Sequence, residues 1–314
     1  MLWLLLTVLG CPKVPTPVDT GSGDSDDTNS DCTTDADNDG ANACEDCDDT
    51  NPWRYPGAAE LCNGIDDNCD DAVGAEETVD ANDDGTADCL ACGNAGFGAL
   101  SAVADADLEQ AIRDLLPELT CDYNDAREKM YDELDNVDGE GAYCVYTGVF
   151  YEYPQGQNPD SDVMNTEHTW PQSWGAEVPP GKCDLHHLFP VNSAVNSARG
   201  NRHFDIVSSV TTTYEGGSKL GENAHGDDVF EPRDAHKGNV ARAMLYYAVA
   251  REDWTDDSSQ NISDEELELW RSWNTLDPVD ATELDRTMEI RDFQGNANPF
   301  VACEGLLDRV IDAH

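Results

Sequence analysis

Residues 165–201 open with Asn165-Thr-Glu167-His168-Thr-Trp170-Pro-Gln-Ser-Trp174. They continue through Cys183-Asp-Leu-His186-His187-Leu-Phe-Pro190 and close on Val195-Asn196-Ser-Ala-Arg199-Gly-Asn201. A carboxylate, imidazoles, amides and a guanidinium in so short a stretch suit metal-assisted hydrolysis of a phosphodiester, which needs a base to deprotonate water and a Lewis acid to neutralise charge on phosphate and leaving oxygen. Glu167 is a hard oxygen ligand, and His168 titrates near neutrality, as a general base should. Asn196 stands 29 residues beyond Glu167, far enough for a strand, a connection and a returning helix over 191–198 to bring its amide oxygen alongside. One carboxylate and one amide leave most of an octahedral shell to water and phosphate oxygens, which suits Mg2+, with Ca2+ or Mn2+ as alternatives. Neighbours on a strand alternate faces, so a twist or bulge must aim Glu167 and His168 at one phosphate, or metal and base approach it from different sides.

Around this stretch the chain predicts an α+β fold, mainly helical around a small central sheet. Leu108, Ala111, Ile112 and Leu115 follow helical spacing, as do Ala126, Met130 and Leu134, and Val240, Met244, Tyr247 and Ala248 mark a third helix. Ser263-Asp-Glu-Glu266 reads as a capping box ahead of Leu267 and Trp270, and Asp280 with Glu283 opens a further helix. Strands are expected at 143–151, around Glu167, at 184–189 and at 204–213.

Residues 1–92 differ in kind. An apolar run over 1–10 is too short to span a bilayer, which takes about 20 residues. It ends at Cys11 and resembles a bacterial lipoprotein signal, which implies lipid attachment at Cys11; an ordinary signal peptide is the alternative. Residues 12–30, rich in Pro, Thr, Ser, Gly and Asp, read as a disordered tether. Residues 31–92 hold almost no Leu, Ile or Val, so crosslinks and ions must order them. Asp35, Asp37 and Asp39 before Gly40 take calcium-loop positions, and Asp80, Asn82, Asp84 and Asp88 repeat the pattern. Neither loop has the closing glutamate of an EF-hand. Asp46-Cys-Asp-Asp49 and Tyr55-Pro-Gly-Ala-Ala-Glu-Leu-Cys62 with Asn63-Gly-Ile-Asp-Asp-Asn-Cys-Asp70 resemble metal-binding modules of bacterial surface proteins.

Of the 12 cysteines, Cys11 aside, an odd number remains, so either one thiol is free or one bridge crosses from the acidic segment into residues 93–314. Such use of cysteine fits an oxidising, extracytoplasmic setting, as a cell-envelope lipoprotein or a secreted or periplasmic protein. Cys44-Glu-Asp-Cys47 and Cys89-Leu-Ala-Cys92 have zinc-knuckle spacing, but their surroundings favour disulfides.

The chain of 314 residues carries 17 Lys and Arg against 66 Asp and Glu, a formal charge of −49. A basic nucleic-acid tract is excluded. Phosphate must therefore approach against repulsion, unless salt screens it within roughly 8 to 10 Å or bound cations invert the local field.

Seven motifs in order carry a family resemblance: Glu167 to Trp174, Asp184 to Asn201, Gly216-Gly-Ser-Lys219, Val229-Phe-Glu-Pro-Arg-Asp234, His236 to Met244, Asp277-Pro-Val-Asp280 and Gln294 to Phe300. Residues 93–314 thereby resemble the endonuclease I family, secreted or periplasmic nucleases of the ββα-metal (His-Me finger) superfamily. The resemblance implies that His168 is the general base, that Glu167 and Asn196 bind one divalent metal, and that DNA and RNA are cut to 5′-phosphate products with little sequence preference. Arg199, one turn from Asn196, is a candidate phosphate clamp or else a structural salt bridge. His186 and His187 read as structural, Trp170 and Trp174 as core, Asn296 and Asn298 as turn formers. Arg233, Asp234, Lys237 and Arg242 read as an internal ion-pair network or as phosphate contacts. Nucleic acid is the expected partner, the membrane only through a lipidated N-terminus, and no obligate protein partner is expected. The competing reading is a calcium-binding surface or adhesion protein on an inactive nuclease scaffold.

Overall fold

The computed structural model describes residues 41–42, 47, 56, 68–70, 92–251, 262–303 and 305–314. Cys11, the tether over 12–30 and both aspartate loops (Asp35, Asp37, Asp39; Asp80, Asn82, Asp84, Asp88) lie outside the described residues. Cys47 is bonded to Cys69.

From Cys92 onward the chain is α+β. Helix α1, Leu108–Leu115, buries Leu108 and Ile112 and stops where Leu116 turns extended before Pro117. Asp122 caps α2, Tyr123–Lys129, by accepting from the amides of Asn124 and Asp125, and the helix runs on as a π turn, Met130–Leu134, burying Met130 and Tyr131. The expected strand over 143–151 is a hairpin: β1, Gly141–Tyr143, pairs antiparallel with β2, Phe150–Glu152, and the chain between them turns through Cys144 and Val149. Strands β3, Met164–His168, and β4, Leu188–Asn192, pair antiparallel with Glu167 opposite Phe189 and His168 opposite Leu188. Helix α3, Ser193–Arg199, follows at once, because the Asn192 side chain accepts from the amides of Ala194 and Val195. That cap explains why the helix starts two residues later than its apolar pattern suggested.

A third sheet takes β5, Ser209–Thr213, β6, Lys219–Glu222, and β7, Asp228–Glu231, in that order. The sheet is thus three separate antiparallel pieces rather than one central unit. Residues 184–189, expected as strand, begin as a 3-10 turn, Leu185–His187, because the Asp184 carboxylate accepts from the amide of His186 and the Gln294 side chain accepts from the amide of Leu185. Of 204–213 only the second half is strand; Phe204 forms an isolated parallel bridge to Phe230. Strands β6 and β7, short and largely polar, had no alternation to announce them.

Helix α4, Lys237–Arg251, is buried on nearly every side, from Val240 through Val249. A helix apolar all round belongs at the centre. It packs most extensively on α5, Asp264–Leu276, whose Ser263 and Glu266 form the expected capping box. Gly238 has no room for a side chain, since a Cβ there would collide with the Asp277 carbonyl. Asp280 caps α6, Ala281–Gln294, which Gly295 ends in a left-handed conformation. Asn298 caps α7, Pro299–Ala302, and α8, Leu306–Ala313, closes the core with Leu306, Leu307 and Val310. Trp170 is core as expected, stacked 4.9 Å from Tyr247, with Trp174 edge-on to it.

Cys92 bonds Cys303 and Cys121 bonds Cys183, while Cys144 is a buried free thiol. One bridge does cross, from Cys92 to Cys303, but a bridge removes two cysteines and leaves the total odd, and Cys144 is a thiol left over. Cys47 and Cys92 each bond a distant partner, so neither Cys-x-x-Cys pair acts as a unit.

Candidate active site

The β3-β4-α3 unit brings Glu167, His168, Asn196 and Arg199 to one open cleft, also lined by Thr166, Gln172, Ser173 and Asn201. His168 is the last residue of β3. Strand alternation therefore ends at the cleft and does not part it from Glu167.

Glu167 is 1% exposed. Its Oε1 accepts from the Tyr146 hydroxyl at 2.7 Å and lies 3.1 Å from Arg199 Nη1, which leaves Oε2 without a protein partner among the described residues. Burial pushes the carboxyl upward, and the Arg199 charge and the Tyr146 hydrogen bond pull it back. Asn196 Nδ2 donates to Asn165 Oδ1 at 2.7 Å and to the Thr166 carbonyl at 3.2 Å. With both donors engaged there, Oδ1 is left as the free acceptor. One carboxylate oxygen and one amide oxygen, neither used by protein, form an oxygen donor set that fits a hard divalent cation. Among the described residues no three His, Cys, Asp or Glu side chains cluster as a metal site, so any cation here keeps a mostly solvent shell.

His168 Nε2 lies 3.1 Å from the Lys182 carbonyl, which can only accept. The proton therefore sits on Nε2, and the lone pair is on Nδ1. Burial, then the neighbouring His187, lowers the imidazole to about 3, so in the metal-free protein it is neutral at pH 7 and does not titrate near neutrality as expected from residue type. Gln172 Nε2 lies 3.3 Å from each ring nitrogen, and of the two only Nδ1 can accept from it. Arg199 is also 1% exposed, and it donates to the carbonyls of His168, Thr169 and Gly200 besides pairing with Glu167. Its guanidinium rests 4.2 Å from the Phe204 ring. Of the two roles weighed for Arg199, this geometry favours the ion pair.

A family model described as Endonuclease I matches residues 111–304. The chain belongs to the Endonuclease I family. A second model, for a proposed metal-binding motif, matches residues 46–75. Among curated proteins, an extracellular ribonuclease of Bacillus amyloliquefaciens is 38% identical over 154 residues, covering 44% of this chain and 50% of the relative. The extracellular ribonuclease of Bacillus subtilis (strain 168) is 38% identical over 152 residues, with the same shares. A periplasmic deoxyribonuclease of Aeromonas hydrophila is 28% identical over 118 residues, 38% of this chain and 46% of that protein. The chain spans about half the length of the curated relatives it matches.

In this Endonuclease I domain the remaining motif residues hold the site from behind. Asp184, fully buried, accepts from Tyr246, Arg251 and Gln294; burial alone would raise it, but the His186 and Arg251 charges hold it down at about 2. His186 Nε2 meets the Asn296 carbonyl at 2.8 Å, and His187 Nε2 the Gly181 carbonyl at 2.6 Å, so both are structural as expected. Arg242 pairs with Glu283, and Lys237 with Glu231 and Asp234, which makes the internal network the observed reading. Arg233 instead donates to the Val145 carbonyl. Asn298 is a helix cap, whereas Asn296 is buried and donates to the Tyr246 hydroxyl, a core role that its place beside a turn concealed. Tyr146, Gln172 and Asn165 escaped sequence reasoning. Asn165 and Gln172 sit within the opening stretch, but nothing in the sequence ties Tyr146 to Glu167.

Proposed function

We propose that this chain is an exported, metal-dependent endonuclease that hydrolyses DNA, and RNA as a second substrate, with little sequence preference and leaves 5′ phosphates. The observation that carries the reading is one cleft lined by a neutral imidazole whose Nδ1 meets only the Gln172 amide and, among the described residues, by two unclaimed oxygens, Glu167 Oε2 and Asn196 Oδ1. His168 Nδ1 takes the proton of the attacking water, displacing the Gln172 amide from its side of the ring. The Lys182 carbonyl holds the ring in that tautomer and stabilises the imidazolium as it forms. Glu167 and Asn196 would hold a divalent cation, Mg2+ foremost, whose Lewis acidity neutralises charge on the phosphate and on the departing 3′ oxygen. Arg199 and Tyr146 position Glu167, and Asn165 orients Asn196.

Export is supported by relatives named extracellular and periplasmic, by the disulfides, and by the lipoprotein-like run ending at Cys11. Among the described residues no helix is long and apolar enough to cross a membrane. Calcium at the loops of Asp35, Asp37, Asp39, Asp80, Asn82, Asp84 and Asp88 belongs to the same proposal and rests on the spacing of their carboxylates; the metal-binding match over 46–75 lies between the two loops. The deciding experiment is plasmid and RNA degradation by the full chain, titrated with Mg2+, Mn2+, Ca2+ and salt, with and without chelator. Cutting abolished by chelator is expected; intact substrates under every condition would leave the calcium-binding scaffold as the reading.

A further inference from the structure

In a chain of charge −49, the source of attraction for phosphate must be local. Among the described residues, every Lys and Arg has a carboxylate within ion-pair distance except Arg127, Lys182 and Arg233. None of these three side chains lines the cleft itself, and Arg233 is tied to the Val145 carbonyl against Gly148. The other two stand beside His168. Arg127 Nε donates to Thr166 Oγ1 at 3.3 Å, and Thr166 lines the cleft; among the described residues neither terminal nitrogen of the guanidinium has a hydrogen-bond partner. The Lys182 carbonyl holds His168, and the Lys182 ammonium lies 5.2 Å from the centroid of the Tyr123 ring. That same ring sits 5.8 Å from the Arg127 guanidinium and 5.6 Å from the imidazole of His168. Tyr131 takes the Arg127 guanidinium at a second ring, also at 5.8 Å.

We propose that Arg127 and Lys182, carried on the ring of Tyr123 beside His168, form the ledge that binds the phosphates of the substrate strand next to the cleaved bond. This inference rests on the nuclease reading above and names the groups that recognise its substrate. The physical reason is the charge balance. A cation paired with a carboxylate offers little net field to a phosphate, whereas one held by an aromatic face keeps its full charge and its donors. Arg199 has its charge paired with Glu167, both terminal nitrogens on carbonyls and its Nε buried. The ledge is thus a small positive island in an otherwise acidic surface, and it places the approaching strand against the base.

The test is salt-dependent binding. In a His168→Ala background of the full chain with Mg2+, binding of a labelled duplex, DNA or RNA according to which the parent cuts, is followed by anisotropy from low to high salt. Arg127→Gln with Lys182→Gln is expected to lower the slope of log affinity against log salt by about two, near 0.9 per lost phosphate contact on DNA. Arg127→Lys restores most of the Arg127 share, and Arg271→Gln, which removes a paired charge of α5, leaves the slope as in the parent. With His168 intact, the double variant raises KM by about 10-fold or more and keeps kcat within about threefold. Should the double variant not fold by circular dichroism, Lys182→Gln alone, whose ammonium makes no hydrogen bond among the described residues, reads a drop of about one. An unchanged slope in a parent that cuts overturns the ledge alone. A parent that neither binds nor cuts overturns the nuclease reading and the ledge with it.

Discussion

Glu167 shows how much a single side chain depends on what lies behind it. Its carboxylate is buried, yet only Oε1 is spent on protein, on the Tyr146 hydroxyl and on Arg199. Removing the Tyr146 hydroxyl frees that oxygen to rotate, and outer-shell losses of this kind typically cost 10- to 100-fold in metal affinity. Tyr146→Phe should therefore weaken Mg2+ or Mn2+ binding by roughly 10-fold in a calorimetric titration. Equal affinity would show that Arg199 alone holds the carboxylate. His168→Ala removes the proposed base and leaves both oxygens in place. We expect cutting to fall by about 10²- to 10⁴-fold with metal binding kept; a variant as active as the parent would take His168 out of the mechanism. Residue identity at this site was legible in the sequence, because Glu, His and Asn carry chemistry whatever surrounds them. The part played by Arg199 was not, since a guanidinium serves as phosphate clamp or as buried partner according to what encloses it.

At the scale of elements, α3 carries Asn196 to the cleft, and its position is set by one cap. Asn192 Oδ1 satisfies the first amides of the helix, while its Nδ2 bonds the Tyr151 hydroxyl and the Val163 carbonyl. Asn192→Ala should cost at least about 1 kcal/mol in a denaturant titration, and it should weaken metal binding because Asn196 rides on the same helix. An unchanged unfolding midpoint would mean that the turn is held by β4 alone. Long apolar periods, such as those of α1 and α4, were readable from spacing. The 3-10 turn Leu185–His187 was not, because its cap comes from Asp184 and its other partner, Gln294, lies far along the chain. Strands of three to five residues carry too little alternation to declare themselves, which is why β6 and β7 went unseen.

Across the whole molecule, burial of titrating groups sets a pH limit. His168, His186, His187 and His236 are buried, and burial lowers them to about 3, 4, 4 and 3. The unfolded chain binds protons at these histidines near pH 6.5 while the fold does not, so stability falls as pH drops from about 6.5 toward 4. Asp184, held at about 2, adds stability above about pH 4 that is lost as pH falls toward 2. Glu167, Asp277 and Glu283, which burial pushes upward, work in the opposite direction but are outnumbered. Without divalent cation, the thermal midpoint should hold above about pH 7 and drop steeply below about 6.5. A midpoint steady down to pH 4 would mean that these imidazoles can be protonated inside the fold. By itself the sequence determined the family, the α+β class and the acidic balance, and it named Glu167, His168 and Asn196, which line one cleft, because each rests on residue type and local spacing. Only the tertiary structure decided which oxygens stay free, which cations keep their charge and which cysteines pair. Those depend on partners brought together from distant parts of the chain, and no local pattern records them.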